Sequence, residues 1–211
     1  MPIVRIQTMN TATPAPRRYR GSAAQERKAL RRQQLIDAAS EVYGRNGYRH
    51  SGVKQVCDAA GLTQRYFYES FSHSDDLLIA CYEQAARQLR EEITASAEAA
   101  GPHRLERGRA MLLAYFCALK ARPLMANLLL VEIRGISPAV DKAIIRALHD
   151  MSRDLTRVVA RPGHEPDELL HAGIMGGVIH IALHWMATGY SQSVEHVTET
   201  ALRLSGTMLT D

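Results

Sequence analysis

Residues 47–71, GYRHSGVKQVCDAAGLTQRYFYESF, hold two short helical patterns separated by a glycine. Apolar residues at the spacing i, i+3, i+4 and i+7 indicate one face of a first helix: Val53, Val56, Cys57 and Ala60. Gly61 then interrupts the pattern, as a residue in the left-handed conformation between two helices would. The stretch therefore predicts a helix, a tight turn and a second short helix.

The second helix is expected to run to about Ser70. Ser51 and Thr63 stand where hydroxyls cap helix N-termini, Ser51 before the first helix and Thr63 before the second. Phe67 and Phe71 lie four residues apart and predict the buried side of the second helix. Its other sides carry Gln64, Arg65, Tyr66 and Tyr68.

Amide, guanidinium and phenol groups on the second of two turn-linked helices suit a helix-turn-helix that reads DNA. Arginine can bridge guanine O6 and N7, and glutamine can pair with adenine N6 and N7. On spacing alone, an ordinary helical hairpin with a solvated polar face is the competing interpretation, because the same geometry occurs in folds that bind no DNA.

Three segments carry a family resemblance: RQQLIDAASEVYGRNGY, SGVKQVCDAAGL and TQRYFYESFSHSDDLL. Over residues 31–78 the chain resembles the TetR family of one-component transcriptional regulators. It departs from the common family pattern at three positions. Arg65 stands where glycine is common, Ser70 where histidine or tyrosine is frequent, and Ser74 where lysine is frequent.

The resemblance implies an operator-binding role for the helix-turn-helix. Base edges or nearby backbone are expected to be contacted by Gln64, Arg65 and Tyr66. Phosphates are expected to be positioned by Ser51, Gly52, Lys54, Thr63, Tyr68 and Ser70. A twofold dimer that binds in this way requires a pseudo-palindromic operator.

The charge distribution agrees with one nucleic-acid-binding end. Residues 1–73 contain 12 Lys and Arg against 5 Asp and Glu, whereas the remainder contains 14 against 17. A composition of 46% hydrophobic and 23% charged residues is typical of a soluble globular protein. Three cysteines without a close pair, and no apolar leader, predict a reducing, cytoplasmic location.

We predict three parts along the chain. Residues 1–22 contain several prolines and no apolar periodicity, which predicts a disordered basic arm that either touches DNA or only solubilises the chain. Residues 23–73 form the helix-turn-helix DNA-binding domain. Residues 74–211 form a ligand-binding and dimerisation domain, joined to the first by a long fourth helix that ends at Gly101 and Pro102.

The periodicity predicts an all-α fold of about nine helices. A first helix is expected over 23–46, a fifth over 103–120, a short sixth from Pro123 and a seventh over 138–160. The run LLLVEI at 128–133 could also be a buried strand, although nothing nearby could pair with it.

Residues 172–187, AGIMGGVIHIALHWMA, are apolar nearly all round. A helix without a polar face is expected to be buried on more than one side. The ninth helix shows a coiled-coil-like seam, namely Val194, Val197, Ala201, Leu204 and Met208. Because these two helices supply more apolar surface than one small bundle needs, we predict a homodimer through helices 8 and 9.

An effector pocket is expected between helices 5 to 8, lined by adaptable apolar side chains and a few polar groups. The candidates are Met111, Tyr115, Phe116, Met125, Leu128, His149, His171, Met175 and Ile179. For each of them, a plain position in the core is the alternative. The expected effector is small and largely apolar.

The sequence contains no recognised catalytic motif, so no enzyme activity, catalytic residue or cofactor is expected. His180 and His184 are four apart, but two ligands are too few for a structural zinc site, and no metal is expected. The predicted function is a homodimeric repressor released from DNA by an effector. The alternative is a helical ligand-binding or interaction protein that has lost operator binding, motivated by the changes at Ser70 and Ser74.

Overall fold

The computed structural model describes residues 18–159 and 167–206 of the chain. The helices in this part are α1 (Arg18–Asn46), α2 (Val53–Ala60), α3 (Gln64–Tyr68), α4 (Ser74–Ala99), α5 (Arg104–Ala121), α6 (Pro123–Asn127), α7 (Pro138–Val159), α8 (Glu168–Ala187) and α9 (Val194–Leu204). A 3₁₀ turn at Tyr48–His50 precedes α2, and a π-helical segment at Leu128–Glu132 follows α6. The predicted all-α class is confirmed, with no strand among the described residues.

Helix α1 begins at Arg18, five residues before the predicted start. The boundary of the predicted arm at residue 22 is therefore wrong, since residues 18–22 are helical. Nothing between Arg18 and Ala23 stops a helix, because Gly21 costs only about 1 kcal/mol relative to alanine. Pro16 is the nearest residue that would break one. The rest of the predicted arm, residues 1–17, lies outside the described residues.

Helix α4 joins the two halves of the molecule, as the sequence predicts. Its first turns bury Leu77, Leu78 and Cys81 beside α1, and its later turns bury Leu89 and Ile93 beside α5. Asp75 and Asp76 lie in its first turn, where the helix dipole favours negative charge. The helix ends just before Gly101, which has a positive φ of 91°.

The run at 128–133 is helical and not a strand. Leu128, Leu129 and Leu130 are all buried, although successive residues of a helix point in different directions around its axis. The segment is therefore enclosed on more than one side, since it packs against α1, α4 and α8. Only Val131 of this run points outward, with 44% of its surface exposed.

Helix α8 is long and apolar enough to cross a membrane by length and composition, yet only 22% of its most apolar stretch is buried in the protomer. Val178, Ala182 and Trp185 face the core, whereas Leu169 is 86% exposed. The expected burial on more than one side is therefore not met within a single protomer.

Candidate DNA-binding surface and effector cavity

The N-terminus of α2 differs from the predicted cap. Gly52 is the N-cap residue, and its backbone N–H donates to the side-chain oxygen of Gln55 at 3.2 Å. Ser51 is buried, and its hydroxyl donates to the carbonyl oxygen of Gly47 at 2.7 Å. The predicted Ser51 cap is wrong because that carbonyl, four residues earlier, takes the hydroxyl instead.

The turn between α2 and α3 has the predicted geometry. Gly61 is left-handed, with φ 65° and ψ 28°. The N–H of Leu62 donates to the carbonyl oxygen of Cys57 at 2.9 Å, which closes the C-terminus of α2. Thr63 is the N-cap of α3 as predicted, but its hydroxyl makes no capping hydrogen bond.

Helix α3 is held on its buried side by the two predicted phenylalanines. Phe67 is fully buried, Phe71 is nearly so, and their ring centroids are 5.8 Å apart. The helix ends at Tyr68, two residues earlier than expected, so Ser70 lies in the following turn.

The predicted DNA-contacting residues lie on α2, α3 and their adjoining turns. Most of them are exposed: Gly52, Lys54, Thr63, Gln64, Arg65 and Tyr68. Tyr66 and Ser70 are partly buried, and Ser51 is buried. The hydroxyl and the backbone N–H of Ser51 both donate within the protein, the N–H to the carbonyl oxygen of Tyr48 at 3.1 Å.

Arg65 is held only loosely. Its side chain is 84% exposed, and its Nε lies 3.2 Å from a carboxylate oxygen of Glu69. Exposed pairs of this spacing contribute about 0.3–0.5 kcal/mol, so a guanine could take over the guanidinium at little cost. Glu69 also pairs with Arg31 of α1, at 3.6 Å.

Arg31 is a residue that the motif alone does not single out. Its guanidinium carbon lies 4.3 Å from the ring centroid of Tyr66, which fixes one face of that ring against α1. The sequence signal for it is the cluster of basic residues in the first half of α1. Arg31 therefore positions the middle of α3 as well as adding positive charge beside it.

The DNA-binding domain is fastened to the rest of the protein through α6 and the π-helical segment. The backbone N–H of Tyr48 donates to the carboxylate of Glu132 at 2.9 Å, and the Asn127 side chain donates to the Gly44 carbonyl oxygen at 3.1 Å. A Cβ on Gly44 would lie 2.6 Å from the carbonyl oxygen of Leu124, so only glycine permits this approach.

A second fastening surrounds Tyr48 and the start of α4. The Tyr48 hydroxyl donates to the carboxylate of Asp75. Burial and this carboxylate raise the pKa of Tyr48 to about 12. Hydrogen bonds from Ser137 and then Tyr48 lower the pKa of Asp75 below its usual value. The carboxylate is therefore the charged partner at neutral pH.

An apolar cavity of about 150 Å³ lies between α4, α5, α7, α8 and the π-helical segment. Five of the nine predicted residues line it: Met111, Tyr115, His171, Met175 and Ile179. The polar groups of the lining are few, comprising two tyrosines, two serines and one histidine.

Four predicted residues lie outside the lining. Phe116 and Leu128 are fully buried in the core, Phe116 with its ring 5.7 Å from that of Trp185. Met125 is partly buried on α6. His149 is exposed, because it lies about 100° around α7 from the lining residue Leu148.

Helix α4 contributes a wall of the cavity that the sequence does not predict. Tyr82, Ala86, Leu89 and Ile93 line the cavity, as do Leu129 and Leu130 of the π-helical segment. Their apolar periodicity was visible in the sequence. However, the same periodicity is typical of ordinary core, so it could not separate cavity wall from packing.

Within residues 18–159 and 167–206, no group of three or more His, Cys, Asp or Glu side chains is arranged to hold a metal ion. His180 and His184 are both exposed on α8.

The described residues thus hold a helix-turn-helix at one end of an all-helical chain and an apolar cavity at the other. Residues 35–81 match the model of the bacterial regulatory proteins of the tetR family. The match covers the helix-turn-helix end of the chain, which is similar to this family.

Known proteins extend the similarity. The fatty acid metabolism regulator protein of Bacillus subtilis (strain 168) is 35% identical over 60 residues, which is 28% of this chain and 31% of that protein. This match thus spans about a third of the relative's length.

Two solved structures share the fold over most of the chain. The transcriptional regulator FadR from Bacillus subtilis, in complex with stearoyl-CoA, has a TM-score of 0.72 at 20% identity, covering 84% of this chain and 97% of that one. The fatty acid degradation regulator FadR from Bacillus halodurans has a TM-score of 0.72 at 18% identity, covering 85% and 95%.

Proposed function

We propose that this protein is a cytoplasmic repressor that binds a pseudo-palindromic operator as a homodimer and leaves it when an apolar effector occupies the cavity. The observation that carries the DNA-binding part is the exposed set Gln64, Arg65 and Tyr68 on a helix whose other side is fixed by Phe67. Such side chains can enter a major groove without any rearrangement of the core.

The proposed dimer interface is the open face of α8 together with α9. Leu169 and Leu170 are exposed there, and a Cβ on Gly173 or Gly176 would meet no atom within 4 Å. Glycines inside a helix each cost about 1 kcal/mol, a cost that a closely approaching partner helix would offset. A twofold axis would then bury the same apolar face on both protomers.

The proposed effector carries a long apolar chain. The cavity is lined almost wholly by aliphatic and aromatic side chains, with methionines that adapt to a flexible chain. The Bacillus subtilis regulator of the same fold was solved with stearoyl-CoA, which supports acyl-CoA compounds as the first class to test.

Effector binding is proposed to reach the DNA-binding domain through the π-helical segment and α4. Leu129 and Leu130 line the cavity, whereas Glu132 of the same segment accepts a hydrogen bond from Tyr48. An effector that displaces the leucines would therefore also shift the carboxylate that fastens the α1–α2 connection. It changes operator affinity only by its different affinity for the two arrangements.

The test is fluorescence anisotropy with DNA from upstream of the protein's own gene, measured over a range of salt concentrations. We expect salt-dependent binding and release by stearoyl-CoA. Gly176→Gln is the variant that tests the dimer, because a Cβ there meets no atom of its own protomer within 4 Å but would lie in the proposed interface. It should sediment as a monomer and bind the operator poorly. No binding to any duplex at low salt would favour the alternative of a ligand-binding protein without an operator.

A further inference from the structure

Tyr115 is a lining residue of the apolar cavity, and its hydroxyl is a buried polar group. Tyr115 lines the cavity and is only 9% exposed. Its hydroxyl has no hydrogen-bond partner within the part of the chain that the structure describes. Leaving a buried donor unpaired costs about 1–3 kcal/mol, so such a group calls for a partner.

Two other polar groups of the cavity, Ser205 and His171, differ from Tyr115. The Ser205 hydroxyl donates to the carbonyl oxygen of Ala201 at 2.9 Å, so its proton is already used. His171 is only partly buried. A phenol is neutral at physiological pH, and burial raises the pKa of Tyr115 further above its ordinary value. Tyr115, a lining residue of the cavity, therefore has a buried hydroxyl proton that no residue of the described chain accepts.

A second buried hydroxyl without a partner gives a natural comparison. Thr198 of α9 is 1% exposed, and its Oγ1 has no partner among the described residues. It does not line the cavity. Tyr115 and Thr198 thus each have a buried hydroxyl without a partner, but only Tyr115 lines the cavity.

We infer that the Tyr115 hydroxyl donates a hydrogen bond to a carbonyl oxygen of the effector, which makes the effector an acyl compound and not a plain alkyl chain. This inference rests on the proposed effector cavity and adds the group that selects within it. An apolar chain alone would fill the cavity but leave the phenol unpaired. A carbonyl at this depth would pair it, and chains that lack one would be rejected.

The test uses two ligands that differ only at the carbonyl: hexadecanoyl-CoA, a thioester, and S-hexadecyl-CoA, the corresponding thioether. Calorimetric titration of the native protein should give about tenfold tighter binding of the thioester. In Tyr115→Phe this preference should disappear through weaker thioester binding, while thioether binding stays within about twofold. The melting temperature of ligand-free Tyr115→Phe should not fall, because the change removes an unpaired hydroxyl and keeps the ring.

Thr198→Val is the matched control, since it removes the other unpaired hydroxyl, which does not line the cavity. It should keep the full thioester preference. Equal binding of the two ligands by the native protein, or an unchanged preference in Tyr115→Phe, would overturn the role of Tyr115 while the effector cavity stands. Failure of both ligands to bind the native protein would overturn the cavity proposal and this inference together.

Discussion

On α2 and α3 the polar side chains are exposed and loosely paired, whereas the cavity contains a phenol that is buried and unpaired. Arg65 is 84% exposed and shares a weak ion pair with Glu69, while Tyr115 is 9% exposed and has no partner in the described chain. A surface that binds DNA benefits from side chains whose existing ion pairs are weak, because little free energy is lost when they pair with DNA instead. An enclosed site becomes selective when it contains a buried hydrogen-bond donor, because a ligand that leaves this donor unpaired binds more weakly.

The largest expected effect comes from removing the support beneath the DNA-binding surface. Phe67→Ala should destabilise the DNA-binding domain by about 3–5 kcal/mol and abolish operator binding, because a fully buried ring is lost. Binding of hexadecanoyl-CoA in the cavity should persist, as measured by calorimetry at low temperature. Loss of both activities would mean that the two regions unfold together, and the contrast between them would fail.

A smaller effect is expected at the DNA-binding surface itself. Arg65→Ala should weaken operator binding by about 1–3 kcal/mol and relax the preference at one base pair, if the guanidinium bridges a guanine. Anisotropy with operator variants measures both quantities. Arg109→Ala, which removes an exposed arginine paired with Glu199 on α9, is the control and should leave binding unchanged. If Arg65→Ala and Arg109→Ala show the same base-pair preference among the operator variants, Arg65 does not read a base.

A smaller effect still is expected for a substitution in the π-helical segment, which connects the cavity to the DNA-binding domain. Glu132→Ala removes the acceptor for the Tyr48 N–H and should lower the coupling between effector and operator by about 0.5–2 kcal/mol. The coupling is the ratio of operator affinities with and without hexadecanoyl-CoA. Effector affinity in the absence of DNA should change little, because Glu132 does not line the cavity. If this ratio is the same in Glu132→Ala as in the native protein, the coupling passes through α4 and not through Glu132.

The smallest effect is a pH dependence at Asp75. Its pKa is lower in the folded protein, so the carboxylate adds stability above its unfolded pKa, and this increment is lost as pH falls through the folded pKa. Asp75→Asn should therefore reduce stability at pH 7 by less than about 1 kcal/mol. Urea denaturation at pH 7 and at pH 3 should show a difference between the two proteins that narrows in acid. If the stability difference between the native protein and Asp75→Asn is the same at pH 7 and pH 3, it comes from packing and not from the charge of Asp75.

The sequence predicts the DNA-binding end better than the cavity because the two depend on contacts of different range. Gly61 and Phe67 act within their own turn and helix, so spacing along the chain identifies them. Ser51 was misassigned because the Gly47 carbonyl competes for its hydroxyl through the fold of a 3₁₀ turn. That competition depends on the backbone path and leaves no mark on the periodicity.

In the cavity, the outcome for each predicted residue follows from the rotation of its helix. Tyr115 faces the cavity and its neighbour Phe116 faces Trp185, although both are apolar-face positions of α5. The wall from Tyr82 to Ile93 of α4 was missed because its role depends on which helices pack on each side. Only the assembled bundle decides which apolar stripe borders empty space.

The contact between Gly44 and Leu124 also determines how the DNA-binding domain can move. Because no side chain lies between the two backbones, no rotamer change can absorb a displacement here, and we expect any tilt of α1 to pivot about this contact. Arg31, which contacts α3, is 13 residues away along α1, or about 20 Å at the rise of a helix. A tilt of about 5° would then carry α3 by roughly 2 Å over this lever arm. In a dimer, both copies of α3 would undergo that displacement, each about its own pivot.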